Sequence, residues 1–199
     1  VIFAFIIIPV TEILVGKDKK NLKTEEAEKK RHNSLFDLML YLNLPIVFGL
    51  LYWALIKVST ENYYIFEMIG ICFSTGILLA TNAINVAHEL GHRKSNIERV
   101  FSKTLYIPCL YMHFYIEHNY GHHLKVATPE DGATAKYNQN VYSFWISSIV
   151  KQYFDAWKKQ RELLEKSSSS FFSFKNDMLC YTIIQPLYLI VIYYTFTYK

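Results

Sequence analysis

Residues 63–92 read YYIFEMIGICFSTGILLATNAINVAHELGH, an apolar run that ends in two histidines. The part from 63 to 87 contains a single charged residue, Glu67. As a helix it would be about 37 Å long, which is enough to cross the hydrocarbon core of a bilayer. The stretch therefore predicts a transmembrane helix that carries potential metal ligands where it leaves the membrane.

Other apolar runs repeat this pattern along the chain. Spans are predicted at about residues 1–15, 35–58, 63–87 and 178–198. Pro45 predicts a kink in the second span. Residues 35–58 and 63–87 form a predicted helical hairpin, joined by the polar turn 59–62. The predicted fold is an all-α integral membrane protein, a multi-span helical bundle of one membrane domain, residues 1–199.

Composition supports this class. The chain is 52% hydrophobic and 17% aromatic, and the pair Tyr63–Tyr64 lies at the edge of an apolar run, as in an interfacial aromatic belt. A Tyr-rich soluble core is the alternative, but the apolar runs are too long for it. The polar loop 16–34 mixes both signs of charge, which disfavours nucleic acid as a partner.

Topology follows from the positive charges. The loop 16–34 is rich in lysine and is predicted to be cytoplasmic, in a bacterial inner membrane. The hairpin then returns to the cytoplasm at His88, where Arg93 and Lys94 follow. The chain starts without Met inside an apolar run and stops just after another, so we expect it to be an internal fragment of a longer protein.

The segment between the two histidine clusters decides whether they share a membrane face. It holds one apolar run, 104–116, which is too short for two crossings. We expect this run to lie in the interface or to dip in and return, with Pro108 helping to break it. Residues 124–177 are a predicted cytoplasmic linker region that contains an amphipathic candidate, 141–157.

Five of the seven histidines lie in two clusters, the predicted boxes 88–92 and 117–123. On an α-helix, His88 and His92 share one face, and so do His118 and His122. His123 would be turned about 100° further around the axis than His122. Five imidazoles are more than one tetrahedral zinc ion uses, which indicates more than one metal ion. His113 and His32 are interpreted as hydrogen-bonded core residues.

One alternative reading of the first cluster is a membrane zinc protease. The letters His88-Glu89-Leu90-Gly91-His92 match the pattern H-E-x-x-H, in which two histidines bind zinc and the glutamate activates water. That pattern leaves the surplus histidines without a role. Histidine-rich sites with open positions suit iron chemistry with oxygen.

The surrounding residues are more specific. His88-Glu-Leu-Gly-His92-Arg-Lys, Glu117-His-Asn-Tyr-Gly-His-His123 and Val126-Ala-Thr-Pro-Glu-Asp-Gly-Ala-Thr134 resemble two histidine boxes of the membrane alkane monooxygenases. These alkane hydroxylases, with the related xylene monooxygenases, belong to the superfamily of integral-membrane fatty-acid desaturases and hydroxylases. An acyl-chain desaturase or hydroxylase with the same kind of metal site is therefore a further alternative.

The resemblance implies a non-haem di-iron centre that hydroxylates the terminal carbon of a linear alkane with O2. It implies that the iron ligands include His88, His92, His118, His122 and His123. Two further histidine motifs of that family have no counterpart in the chain, so we expect the remaining ligands beyond residue 199. Candidates for orienting the imidazoles by hydrogen bonds are polar residues beside the boxes: Asn82, Asn85, Glu89, Glu117 and Asp131.

Electrons must come from another protein. The chain has neither a Gly-rich dinucleotide motif nor iron–sulfur cysteine spacing, and the resemblance implies rubredoxin and its reductase as donors. The loop 16–34 and the pair Lys158–Lys159 are candidate contacts for an acidic partner. A positive rim that faces membrane lipid is the alternative for these lysines.

Overall fold

The computed structural model describes residues 2–16, 24–25 and 33–197, and in these residues it contains helices and turns but no strand. A π-helical turn at Phe3–Ile7 leads into the first helix. The seven helices of the described part are α1, Ile8–Val15; α2, Ser34–Thr60; α3, Ile65–Gly91; α4, Asn96–Tyr106; α5, residues 113–125; α6, Val141–Lys166; and α7, Asp177–Thr197.

Three of these helices, α2, α3 and α7, are long and apolar enough to cross a membrane. They have 27, 27 and 21 residues, and about 20 are needed. Their side chains point mostly outward, as Trp53 and Phe73 do at 60% and 67% exposure. The predicted class, an all-α membrane protein with several spans, is confirmed. Near the start of the chain the apolar helix Phe5–Val15 is shorter, and the first predicted span stays a prediction.

Polar residues join α2 and α3 into a hairpin. Asn33 caps α2 by accepting a hydrogen bond from the backbone of Leu35, and the helix continues through Pro45. Between the two helices, the Asn82 amide donates to Asn43 Oδ1 at 3.0 Å. In a lipid environment such a bond is a common way to fix two apolar helices against each other.

The apolar run 104–116 turns back without crossing. Helix α4 ends at Tyr106, and α5 begins at His113. The turn between them lies beside α3, where the Cys109 thiol is 3.9 Å from the Leu79 carbonyl. It also lies beside α7, where the backbone N–H of Met112 donates to Gln185 Oε1 at 3.0 Å. Leu79 and Gln185 lie about two to three turns inside their helices, so α4 and α5 form a re-entrant hairpin.

Side-chain bonds hold α4 against the three spans. The Ser102 hydroxyl donates to the Ala87 carbonyl at 2.6 Å, and Tyr41 donates to Glu98 at 2.9 Å. Lys103 pairs with Asp177 at 2.8 Å. Gly91 lets α3 approach closely, because a Cβ there would lie 3.1 Å from Ser102 Oγ. These contacts set the distance between the two histidine clusters.

Helix α6 lies within 124–177, the segment predicted as a linker. Asn140 caps it by accepting from the backbone of Ser143, and the helix runs past the predicted amphipathic stretch to Lys166. It is tied to the re-entrant hairpin by the Tyr111 hydroxyl, which donates to Gln152 Oε1 at 2.9 Å. The partition into boxes and a cytoplasmic linker remains a prediction.

Candidate metal centre

The two histidine clusters meet at one end of the bundle. His88 lies in the last turn of α3, and His92 directly follows that helix. His118, His122 and His123 belong to α5. Since the re-entrant hairpin brings the chain back to the end of α3, the two clusters lie on the same membrane face, as the short run 104–116 predicts.

Imidazole nitrogens converge where the two helices face each other. The Nε2 atom of His92 is 3.2 Å from that of His88 and 3.3 Å from that of His118. The Nε2 atom of His123 is 3.1 Å from that of His118. The ligand atoms of His88, His92 and His118 all lie within 4.8 Å of one another. This is a set of neutral nitrogen donors of the kind that binds transition metals.

A π-helical turn at His118–His122 explains why His123 joins this group. The backbone N–H of His123 bonds to the carbonyl of His118, five residues back, as in a π-helix. The wider turn returns residue i+5 to the face of residue i. The further turn of about 100° expected for His123 assumed a regular α-helix, and the π turn changes that angle. A second π turn, Leu79–Ile84, lies just before His88.

The metal-free cluster favours neutral imidazoles. Burial, reinforced by the neighbouring imidazoles, lowers the pKa of His118 to about 3. Burial, together with His92 and His122, also lowers the pKa of His123. A neutral ring keeps a nitrogen lone pair available, which is the form that binds metal.

His122 is directed differently from the other four. Its ring stacks on His118 with centroids 5.3 Å apart, and its Nδ1 is 3.0 Å from Oδ2 of Asp131. A hydrogen bond from Nδ1–H to the carboxylate fixes the tautomer in which Nε2 holds the lone pair. Asp131 therefore lies where a residue that orients a ligand is expected.

The loop after the second cluster holds the Asp131 carboxylate in place. Thr134 Oγ1 donates to Oδ2 at 2.5 Å, and the backbone N–H of Ala133 donates to Oδ1 at 3.0 Å. The Asp131 side chain is fully buried. Burial by itself would raise the pKa of Asp131, but these bonds and the one to His122 outweigh it and hold the pKa below its ordinary value.

The other candidates for orienting imidazoles have different surroundings. The Asn82 amide is engaged by Asn43, which is an interhelical bond rather than a contact with a histidine. Asn85 is exposed on α3. Glu89 is also exposed and pairs with Arg93 at 3.2 Å. This pairing engages the Glu89 carboxylate, which the zinc protease interpretation requires as a general base.

Glu117 lies under the second cluster and is only 2% exposed. In the described part of the chain its Oε2 atom has no hydrogen-bond partner. Burial, with Asp131 nearby, raises the pKa of Glu117 to about 7. Gly121 leaves room for this side chain, since a Cβ there would lie 3.3 Å from Glu117 Oε1. Glu117 therefore titrates near neutral pH in the metal-free protein.

His113 lies apart from the metal cluster. Its ring contacts Tyr111 and Tyr153, with centroids 4.6 Å and 5.4 Å away. Burial lowers the pKa of His113 to about 4, so the ring is neutral. Its Nε2 atom has no hydrogen-bond partner among the described residues. His113 is thus a core residue, as predicted, without the predicted hydrogen bond, and His32 lies outside the described residues.

Sequence patterns alone did not indicate Ser102 or Gln185. Both support the site by fixing the re-entrant hairpin between α3 and α7. The available signal for Gln185 was a Gln-Pro pair inside an otherwise apolar run. An intramembrane polar residue of that kind usually has a structural or functional partner.

Residues 67–198 match the sequence profile of the family described as fatty acid desaturase. The chain belongs to the fatty acid desaturase family. The matched residues include both histidine clusters, the Asp131 loop and α7. A histidine-rich metal site at the end of a membrane bundle therefore fits a desaturase-family protein, and the residues that converge here are suitable for it.

Among named desaturase-family relatives, the chain is 33% identical to alkane 1-monooxygenase from Pseudomonas putida, over 95% of this chain and 46% of that protein. It is 32% identical to alkane 1-monooxygenase 1 from Alcanivorax borkumensis, over 94% and 45%. It is 31% identical to the hydroxylase component of xylene/toluene monooxygenase from Pseudomonas putida, over 73% and 40%. The chain spans less than half the length of these relatives.

Proposed function

We propose that this chain is part of an alkane 1-monooxygenase-type enzyme, a non-haem di-iron protein that hydroxylates the terminal carbon of linear alkanes with O2. The observation that carries the proposal is the convergence of the four Nε2 atoms of His88, His92, His118 and His123. The similarity to proteins named alkane 1-monooxygenase supports the choice of substrate class.

The proposed iron ligands are His88, His92, His118, His122 and His123. Two non-haem irons bound there would supply the activation of O2 and the oxidation of the substrate C–H bond. In the net reaction one oxygen atom enters a terminal C–H bond, and two electrons and two protons reduce the other oxygen atom to water. Because five imidazoles do not fill the positions around two irons, further ligands complete the centre in the whole protein.

In this proposal the chain's own residues orient the ligands and support the cluster. Asp131 holds the tautomer of His122, and the buried loop bonds around Asp131 keep that carboxylate ionised. In this proposal, an alkane dissolved in the bilayer would approach the cluster along the apolar surfaces of α2, α3 and α7. The re-entrant hairpin closes the side of the cluster where α4 and α5 pack between α3 and α7.

The proposed electron donor is a rubredoxin-type protein, itself reduced by a flavin reductase. Lys158 is exposed on α6 and is available to an acidic partner, while Lys159 pairs with Glu162 at 2.6 Å. The other candidate contact, the loop 16–34, lies largely outside the described residues. In this proposal the protein resides in a bacterial inner membrane with its histidines facing the cytoplasm, where such a donor is found.

Acyl chains are the second candidate substrate class. The matching family is described as fatty acid desaturase, and a histidine site at the membrane surface would serve a desaturase or hydroxylase of acyl chains equally well. The zinc protease interpretation has less support, because Glu89 pairs with Arg93 and four imidazoles converge instead of the two that the protease pattern supplies.

Metal and product analysis of the full-length enzyme tests the proposal. We expect iron in the purified protein and the 1-alcohol as product when octane or hexadecane is supplied with a reducing system. An enzyme that holds zinc without iron would refute it. Conversion of fatty acyl chains with no alcohol from alkanes would favour the second candidate.

A single ligand substitution tests the site assignment. His122→Ala should lower iron content and abolish hydroxylation, since the imidazole fixed by Asp131 is then absent. His113→Phe is the matched control, because His113 is a buried histidine of the same helix whose ring contacts lie outside the cluster. Full iron content and full activity in His122→Ala would show that His122 is not a ligand.

A further inference from the structure

Helix α6 buries polar side chains and exposes apolar ones, which is the opposite of a surface helix in a water-soluble protein. The residues on its buried face follow at intervals of four and are mainly polar: Ser148, Gln152, Ala156, Gln160 and Leu164. Most exposed side chains of its first half are large and apolar, apart from Ser143 and Ser147: Tyr142, Trp145, Ile146, Ile149, Val150 and Phe154. A surface helix normally buries its apolar stripe and exposes its polar one.

Two glutamines on the polar face of α6 make hydrogen bonds inside the protein, although Gln160 Oε1 has no partner among the described residues. The Gln152 amide donates to Ser148 at 2.6 Å while its oxygen accepts from Tyr111. Gln160 donates to the Lys175 carbonyl at 3.1 Å. Because Gln152 and Gln160 bond to Tyr111 and Lys175 outside the helix, α6 cannot rotate to bury its apolar side chains without breaking those two bonds. The orientation that exposes these apolar side chains is therefore fixed by the fold.

Contacts with α7 place α6 at the membrane boundary. Gln160 bonds to Lys175, two residues before the span α7 begins. Tyr153 lines a cavity of about 260 Å³ together with Pro186 and Leu189, which lie within that span. The apolar half of α6 is therefore beside the part of α7 that enters the bilayer. Continuity with a lipid-facing span identifies lipid as the neighbour of this face.

The exposed surface changes character along the helix. Residues 141–154 would extend about 21 Å, which is too short to cross a membrane. Tyr142 and Trp145 pack edge to face, with centroids 5.8 Å apart, and such aromatic rings favour the interface between headgroups and acyl chains. After Trp157 the exposed side chains are mainly charged: Lys158, Arg161, Glu165 and Lys166.

We infer that residues 141–154 of α6 form an interfacial membrane-binding helix, which inserts its apolar face into the leaflet beside the histidine cluster. Its partner is the bilayer itself, at the depth of the glycerol groups and the first acyl carbons. The second half of α6 emerges into water. This anchor adds a membrane contact beyond the three spans, and it does not depend on the chemistry of the metal centre.

The three tryptophans of the chain allow a direct test. Trp145 lies in the proposed anchor, Trp53 faces outward from the span α2, and Trp157 stacks on Phe171 at the start of the charged half. In the full-length protein, three variants each keep one of these three tryptophans, and every other tryptophan is replaced as Trp→Phe. Each is reconstituted in phosphatidylethanolamine and phosphatidylglycerol vesicles that contain phosphatidylcholine brominated either near the headgroup or near the end of the acyl chain.

We expect lipid brominated near the headgroup to quench Trp145 as strongly as any brominated lipid quenches Trp53, and iodide in the water to quench Trp145 little. Trp157 should show the reverse preference. If iodide quenches Trp145 and brominated lipid does not, the face is exposed to water and the inference is wrong. If neither quencher reaches Trp145, another part of the full-length protein, a second copy or another protein covers it, and the inference is again wrong.

Cysteine reactivity gives a measurement that is independent of tryptophan. In the full-length protein, with Cys72, Cys109, Cys180 and every other cysteine replaced by alanine, Ile149→Cys and Arg161→Cys are compared in the same vesicles. Both side chains are exposed on α6. A membrane-impermeant maleimide should label the cysteine at 161 readily and the one at 149 only after the vesicles are dissolved in detergent. Equal labelling of the two in intact vesicles would refute the anchor.

Discussion

At the scale of single residues, the site depends on Asp131 more than on any other residue that is not itself a candidate ligand. Its carboxylate accepts from Thr134, from a backbone N–H and from His122. Removal of a carboxylate that orients a ligating histidine typically weakens metal binding about 10- to 100-fold. Asp131 is therefore the residue at which the orientation of a ligand can be tested without removing the ligand.

Asp131→Asn should reduce metal affinity by about 10- to 100-fold. The amide keeps the shape of the side chain but loses the charge that stabilises the Nδ1–H tautomer of His122. Affinity is measured by competition with a chelator. Asp155→Asn is the control, since Asp155 pairs with Lys151 on α6. Equal affinities in the two variants would show that the bond to Asp131 does not orient a ligand.

Glu117→Gln should change the pH dependence of stability in the metal-free protein. The folded pKa of Glu117 is about 7, against an ordinary value of 4.5. The neutral buried carboxyl makes its full contribution to the free energy of unfolding below the ordinary pKa, and this contribution is lost as pH rises through about 7. Glutamine is neutral at every pH. The free energy of unfolding of the variant should therefore rise relative to that of the wild type, by on the order of 2 kcal/mol, between about pH 5 and about pH 8.

The measurement for Glu117→Gln is unfolding in mixed detergent micelles at several pH values. Glu162→Gln is the control, because a hydrogen bond from Lys159 lowers the pKa of Glu162 and moves its titration below this range. The difference between that control and the wild type should stay constant. A constant difference for Glu117→Gln as well would mean that Glu117 is not held neutral by burial.

At the scale of elements, the π turn in α5 selects which imidazoles meet. On a regular α-helix, His123 would be turned well away from His118. His123→Ala should therefore lower metal content as severely as His118→Ala, although spacing on an α-helix makes it the less favourable ligand. Metal content is measured by elemental analysis of protein purified in detergent. Normal metal content in His123→Ala would refute the proposed role of this turn.

Close approach between elements can be tested with glycines of the same helix. Gly91→Ala places a Cβ 3.1 Å from Ser102 Oγ and 3.4 Å from Asn119 Nδ2, so α4 and α5 must shift. We expect a loss of about 1–3 kcal/mol of stability and weaker metal binding. Gly76→Ala has nothing within 4 Å of the new methyl group and should be neutral or slightly stabilising. Equal effects would contradict close packing at Gly91.

Sequence patterns predicted more of the elements than of their interactions. Length and hydropathy were sufficient for α2, α3 and α7, because a membrane span needs only a long apolar run. Helix α6 was predicted too short, since its charged second half has no apolar stripe to reveal it. The π turn that brings His123 beside His118 was not predicted, because such a turn leaves no spacing signal in the sequence. Asp131 was found from the motif that follows the second cluster.

At the scale of the whole molecule, the bundle supports a backbone turn at membrane depth. A lipid-exposed turn would leave N–H and C=O groups unpaired, so such turns occur only where protein covers them. Here α3 and α7 cover it, and Gln185 accepts from the backbone N–H of Met112. The position of α5 depends on this contact between distant parts of the chain. The same contact therefore positions the histidines that α5 contributes to the cluster.

Gln185→Leu should destabilise the bundle by about 1–3 kcal/mol, because a buried N–H loses its acceptor. Metal affinity should fall as well, since the turn precedes α5. Thr182→Val is the control: it also removes a polar group from α7, but the Thr182 hydroxyl bonds only to Met178 of the same helix in the described part. The check is unfolding in mixed micelles together with a metal titration. Equal stability of Gln185→Leu and Thr182→Val would contradict this role.

The π turn at His118–His122 also limits how the centre could be transplanted. A designer who copied residues 117–123 onto an idealised helix would reproduce every side chain and still lose the convergence of His118 and His123. The designed helix would need a π turn, whose hydrogen bonds join residues five apart. It would also need a neighbouring helix that approaches as closely as Gly91 allows. The arrangement of the proposed ligands therefore depends partly on the pitch of the backbone, which a sequence alignment does not record.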